Sequence, residues 1–280
     1  MFRENPLPTP QVMGILNVTP DSFSDGGFFL SVDTALKQAH QMVKEGATII
    51  DIGGESTRPG AARVSVQEEL DRVLPILEKI RAELPILISV DTCKAQVMRE
   101  AIATGVDIIN DVMALRGEGS IAAVANSDTV QICLMHLQGE PRTMQQNPHY
   151  ENVINDIKTF LLERVQVCLD ADIAKNRLII DPGFGFGKTL EHNLLLMKQL
   201  QQFTELGYPV LVGVSRKSMI GKILDKPVTE RLYGSLALTV LAISKGATFI
   251  RTHDVAATID ALKMTHAVLQ QEESKIDFGF

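Results

Sequence analysis

The sequence predicts a single-domain α/β protein, a closed (βα)8 TIM barrel with its core over about residues 10–270. Short apolar runs alternate with longer amphipathic stretches from end to end, the pattern of βα units around a parallel sheet. Most of the runs are near-continuous in Val, Ile and Leu, as strands covered on both faces require. Each run carries a polar or ionisable residue at or near its end (Asn17, Asp51, Asp91, Asn110 with Asp111, His136, Asp181, Ser215 and His253), where barrels of this kind place their active sites.

In chain order the eight runs are Val12 to Asn17, Thr48 to Gly53, Ile86 to Asp91, Ile108 to Asp111, Gln131 to His136, Leu178 to Asp181, Val210 to Ser215 and Thr248 to His253. Between them, Val66 to Leu84 and Ile154 to Ala171 carry apolar residues at three and four spacing and predict outer helices. Ser31 and Ser65 precede helical patterns, and Glu68 follows Ser65 at the spacing of a capping box. Gly46, Gly105 and Gly246 each stand between a helical stretch and the next strand, where glycine ends a helix in the left-handed conformation. No proline-rich or low-complexity linker breaks the alternation, which favours one barrel over two domains.

The formal net charge of -7 argues against a broad basic surface and so against nucleic acid as a partner. An anionic substrate must be captured locally. The three cysteines form no close pair, so a reducing cytoplasm is the expected home. No stretch reaches the roughly 18 apolar residues of a membrane span, and the start of the chain does not read as a signal peptide.

The chemistry concentrates in the connections after the strands. NVTPDSFSDGG, Asn17 to Gly27, is long for a first turn and predicts a lid, with Phe23, Phe28 and Phe29 able to cover a flat ring. DIGGESTRPGA, Asp51 to Ala61, sets Thr57 and Arg58 beside Pro59 and Gly60, and an arginine fork suits phosphate or carboxylate oxygens. DPGFGFGKT, Asp181 to Thr189, imitates a P-loop but has Pro182 where that pattern needs glycine, so nucleotide binding of that kind is rejected. Its glycines instead let a flat ligand approach, with Asp181 at the base and Phe186 available for packing.

GVSRKSMIG, Gly213 to Gly221, supplies Lys217 and Ser218, and Lys217 reads either as a Schiff-base nucleophile or as a charged donor to substrate. RTHDV sets Arg251 and His253 two apart on an extended segment, so both lean to one side, as a diphosphate clamp requires. His136 ends its strand but reads as a satisfied structural group and is left out of the site.

With these segments and SVDT, IND and MH in this order, the chain closely resembles the bacterial dihydropteroate synthases over essentially its whole length. The first two motifs are long and specific, and no motif position departs from the pattern. The resemblance implies a homodimer, magnesium, and two substrates, 6-hydroxymethyl-7,8-dihydropterin diphosphate and p-aminobenzoate, with sulfonamide inhibitors acting at the second site. It implies pterin contacts from Asp91, Asn110, Asp181, Phe186 and Lys217. Asn17 is the implied magnesium and diphosphate contact, with Thr57, Arg58, Arg251 and His253 as the anion pocket. Phe23, Thr57, Pro59, Lys217 and Ser218 bound the implied p-aminobenzoate site. Asp91, Lys217, Arg251 and His253 are the implied catalytic residues, for loss of pyrophosphate ahead of amine attack.

Three alternatives stay open at the level of sequence: a pterin-barrel methyltransferase passing a methyl group to a corrinoid protein, a non-catalytic pterin-binding partner, and a Schiff-base aldolase using Lys217. The Arg251 and His253 pair speaks against the first, because a methyl transfer has no diphosphate to hold.

Overall fold

The computed structural model describes residues 9–19, 28–56, 64–140 and 143–271, with residues 28–31 described in backbone only. Eight strands form where the apolar runs predict them: β1 (Gln11–Asn17), β2 (Ile49–Gly53), β3 (Leu87–Asp91), β4 (Ile108–Asp111), β5 (Gln131–Met135), β6 (Leu178–Asp181), β7 (Leu211–Val212) and β8 (Phe249–Thr252). All pair in parallel in the order β6-β5-β4-β3-β2-β1-β8-β7. A further parallel bridge between Ile180 and Val210 joins the two ends and closes the barrel.

Around it lie α1 (Phe28–Glu45), α2 (Val66–Glu83), α3 (Ala95–Ala103), α4 (Ser120–Ala125), α5 (Val153–Asp170), α6 (Leu190–Lys198), α7 (Gln201–Thr204), α8 (Ser218–Leu224), α9 (Leu232–Ser244) and α10 (Val255–Leu269). The predicted cap of α2 is present in full: Ser65 accepts from the Glu68 amide, and the Glu68 side chain accepts from the Ser65 amide. Gly46, Gly105 and Gly246 take φ of +101°, +95° and +90°, the left-handed turn expected at helix ends. Ser31 does not start a helix, because α1 begins at Phe28 and places Ser31 in its first turns.

Strand alternation divides the core in two. Met13, Ile49, Ile108, Cys133, Ile179, Leu211 and Phe249 pack against one another inside the barrel. Their outward neighbours, including Val12, Ile50, Ile88 and Ile109, pack with helix residues such as Leu77, Met98 and Leu161. At β7 the strand is shorter than its apolar run. Pro209 has no N–H to give, and the Val210 amide is taken by the Thr248 hydroxyl at 2.7 Å, so the ladder to β8 begins at Leu211 while Val210 makes only its bridge to Ile180, and at the other end the ladder stops at Val212.

Candidate active site

The period of two that buries Ile49, Ile108, Ile179 and Phe249 inside the barrel also sends Asp51, Asn110, Asp181 and Arg251 inward, one step nearer the strands' C-terminal ends. Ser89 and Asp91 follow the same alternation on β3, in register with Asp51 and Gly53. The apolar layer therefore forms a floor and the polar layer lies above it. Gly53 and Gly213 share the inward parity without a side chain. A Cβ on Gly53 would meet Asn17 Oδ1 at 3.5 Å and Asp91 Cβ at 3.9 Å, so the glycine leaves room between those two residues.

On one side of the mouth Arg251 donates from Nε to Asp51 Oδ2 at 2.6 Å and from Nη2 to Asp91 Oδ2 at 2.9 Å. Asn110 Nδ2 donates to the same Asp51 oxygen at 3.3 Å. Asp51 is fully buried, whereas the Asp91 and Arg251 side chains keep 10% and 22% of their surface. Burial pushes the Asp91 carboxyl up to about 7 against the pull of Arg251, and the Asp51 charge adds to the rise. Arg251 is held charged: burial opposes its charge, and Asp51 with Asp91 more than offsets that.

On the other side, Asp181 accepts from the Gly183 amide at 2.7 Å, and Lys217 donates to the Phe184 carbonyl and stands 4.5 Å from the Phe186 ring centroid. Burial lowers Lys217 to about 8, opposed by the Asp181 charge, and raises Asp181 above the usual carboxylate range, opposed first by Lys217. Gly183 and Gly185 are required here by close approach. A Cβ on Gly183 would fall 1.9 Å from the His136 carbonyl oxygen, and one on Gly185 would fall 3.0 Å from Lys217 Cδ.

Of the residues singled out from sequence, Asp91, Asn110 and Arg251 thus share one bonded network, and Asp181, Phe186 and Lys217 share a second. The two act on each other electrostatically through Arg251, Asp91 and Lys217. His253, two residues after Arg251 in the chain, pairs through Nδ1 with Ser215 Oγ at 3.1 Å. Ser218, the first residue of α8, is exposed. Phe23, Thr57, Arg58 and Pro59 lie outside the described residues, as does most of the expected lid.

Asp51 was not singled out as a site residue, although its position two residues before Gly53 on a strand paired with β3 gives it the same inward parity as Asp91. Equally hidden from sequence was the support beneath the DPGFGFGK loop. Buried Lys188 donates to Gly183 O at 2.8 Å and Phe186 O at 3.0 Å and pairs with His136 Nδ1 at 2.9 Å. His136, lowered to about 2 by burial and the nearby cations, is the structural group it was read as.

A barrel whose mouth offers several carboxylate and amide acceptors, a lysine over a phenyl ring and a buried arginine defines an enzyme for a flat, donor-rich heterocycle bearing an anionic group. The chain matches the family described as pterin binding enzyme over residues 13–253. It is 56% identical to the dihydropteroate synthase of Haemophilus influenzae, over 93% of this chain and 94% of the relative. A Yersinia pestis dihydropteroate synthase solved with a sulfonamide drug complex superposes with a TM-score of 0.89 at 49% identity, covering 93% and 94% of the two chains. The Xanthomonas albilineans enzyme in complex with 7,8-dihydropteroate gives 0.85 at 45% identity, covering 94% and 95%. The chain belongs to the dihydropteroate synthase family of pterin binding enzymes.

Proposed function

We propose that this chain joins a (7,8-dihydropterin-6-yl)methyl diphosphate to p-aminobenzoate, giving 7,8-dihydropteroate and pyrophosphate. The observation that carries the reading is the convergence of Asp91, Asn110, Asp181 and Lys217 above the barrel floor. An aminopyrimidinone edge presents adjacent N–H donors, which the two carboxylates and the amide oxygen accept, while the Lys217 ammonium donates to ring acceptors. Phe186, already under a cation, supplies a face for packing.

Arg251 and His253 are assigned to the diphosphate. A guanidinium has five N–H donors; the bonds to Asp51 and Asp91 take two, and the remaining donors serve the leaving group. The C–O bond to the pterin methylene breaks with its electron pair on pyrophosphate. The arylamine nitrogen then forms the new C–N bond and loses a proton to water. Anionic Asp91 supports the positive charge that spreads over the dihydropterin, a preorganised electrostatic contribution. The amine is neutral near pH 7 and needs no strong base. Thr57, Arg58, Phe23, Pro59 and Ser218 are assigned to the anion and p-aminobenzoate contacts, the surface a sulfonamide would share.

Among the described residues no three His, Cys, Asp or Glu side chains form a metal-binding cluster. That suits magnesium held mainly by substrate phosphates and waters, with Asn17 Oδ1 as its protein oxygen. Bound there, the ion would neutralise charge developing on the leaving group.

We also assign a homodimer. It is supported by apolar side chains exposed on α8, α9 and α10, among them Ile223, Leu224, Tyr233, Leu241, Met264 and Val268, with Tyr233 77% exposed. No described helix is long and apolar enough to cross a membrane. The three cysteines are free, which agrees with a cytoplasmic home.

A pyrophosphate-release assay tests the reading by omission. Release matched by 7,8-dihydropteroate should require the pterin diphosphate, p-aminobenzoate and magnesium together. No dihydropteroate with all three present would reject it.

A further inference from the structure

Asp51 is fully buried beneath the mouth, beyond direct reach of a ligand, yet it touches two of the residues assigned to substrate. Its Oδ2 accepts from Arg251 Nε at 2.6 Å and from Asn110 Nδ2 at 3.3 Å. A carboxylate can only accept, so the atom Asn110 turns toward it must be the amide nitrogen. The Asn110 carbonyl oxygen is then the end left for a ligand. On the arginine, the shorter bond is the one to Asp51, and the longer bond to Asp91 at 2.9 Å comes from the distal Nη2.

We propose that Asp51 is a positioning residue that fixes the hydrogen-bond polarity of the pterin pocket, by spending the Asn110 amide donor and by anchoring Arg251 through Nε. The proposal rests on the pterin reading above and says why the pocket takes a donor edge. With Asp51 in place, Asp91, Asp181 and Asn110 all present acceptors. Without its charge, Asn110 is free to turn its NH2 toward the ligand, donor against donor. Arg251 then closes on Asp91 as its one remaining carboxylate bond.

The second consequence concerns the charge of Asp91. The groups that face it are Asp51 on β2, Arg251 on β8, Glu69 on α2, Asp111 on β4, Lys217 after β7 and the Cys133 thiol on β5. Asp51 adds to the rise of the Asp91 carboxyl, so neutralising Asp51 should let Asp91 ionise at lower pH. Such a fall reports the charge of Asp51, and recovery in the exchange of Asp51 with Asn110 reports the polarity it imposes.

Three proteins test this: the unaltered chain, Asp51→Asn, and the exchange Asp51→Asn with Asn110→Asp. The exchange keeps the net charge and again pairs an amide donor with a carboxylate, now with an acceptor toward the ligand. Asp51→Asn should raise KM for the pterin diphosphate about tenfold or more, the worth of a charged hydrogen bond, with KM for p-aminobenzoate essentially unchanged. The exchange should recover most of that loss. In ligand-free protein carrying 13C-labelled aspartate, with Asp91→Asn assigning the signal, the Asp91 midpoint should fall in Asp51→Asn. An unmoved midpoint, an unchanged pterin KM, or an exchange variant no better than Asp51→Asn would each overturn the proposal. The NMR midpoint needs no turnover, so it decides the point even if the unaltered chain releases no pyrophosphate, an outcome that would sink only the parent reading.

Discussion

Arg251 Nη2 lies 2.9 Å from Asp91 Oδ2, a bond that reaches from β8 to β3 across the two strands between them and brings together residues 160 apart in the chain. The same guanidinium rests on Asp51. Two acids and one base thus share the floor of the mouth, and the properties of Asp91 follow from its being the more exposed acid of the two.

Asp91→Asn keeps the size of the side chain and removes its charge. Turnover should drop about 100-fold, the scale of losing one preorganised electrostatic contact, with circular dichroism unchanged. Near-normal turnover would remove Asp91 from the chemistry.

Catalytic efficiency should depend on pH as a narrow bell. Asp91, at about 7, must be ionised and Lys217, at about 8, must keep its proton, so activity should fall below the first value and above the second. Asp91→Asn should abolish the acid limb of whatever activity remains. A flat profile from pH 6 to 9, a range of roughly one to two pKa units about those values, would contradict the assignment.

Stability carries the opposite sign for Asp91 from that of an ordinary salt-bridged acid. Its folded-state value lies above its unfolded one, so its contribution is fully present below about 4 and is lost as pH rises through about 7. The melting temperature of Asp91→Asn relative to the unaltered chain should therefore rise between those limits. A difference that stays constant with pH would contradict the direction of the shift.

Arg251→Ala should weaken the pterin diphosphate on the order of tenfold or more and also destabilise the fold by about 3 kcal/mol, because buried Asp51 loses its cation. Arg251→Lys restores the charge and should recover stability better than affinity, since lysine lacks the fork that reaches Asp51 and Asp91 together. Thermal melts alongside KM for both substrates check the split.

Gly183→Ala places a methyl group 1.9 Å from the His136 carbonyl oxygen at a φ of +72°. The loop between Asp181 and Lys188 must shift, so stability should fall by more than about 1 kcal/mol and pterin KM should rise. An unaltered melt would mean that the loop does not sit on β5 as described.

How much of this was readable beforehand differs by the kind of interaction. Strand positions came through because a strand buried on both faces needs an apolar run of its own length, and Leu178 to Asp181 needed no correction. β7 was misjudged in length at both ends: the Thr248 hydroxyl takes the Val210 amide at its start, and the ladder to β8 stops at Val212, three residues short of Ser215. Asp51, Asp91, Asn110 and Asp181 were legible as strand-end polar groups, and Lys217 and Arg251 from their motifs. The role of Asp51 was not legible, because nothing local separates an acid that touches a ligand from one that holds an arginine in place. The ion pairs of Lys94 with Glu55 and Glu69 were hidden for the same reason, since they join three separate segments.

The claim beneath all of this is that inward strand tips hold the pterin ring itself, whatever its diphosphate does. Calorimetric titration of 6-hydroxymethylpterin, which lacks the diphosphate, into the unaltered chain and into Asp181→Asn tests it most directly. One site per chain should appear in the first, weakened about tenfold or more in the second. Equal affinity in the two proteins, or no binding to the unaltered chain, would contradict the account.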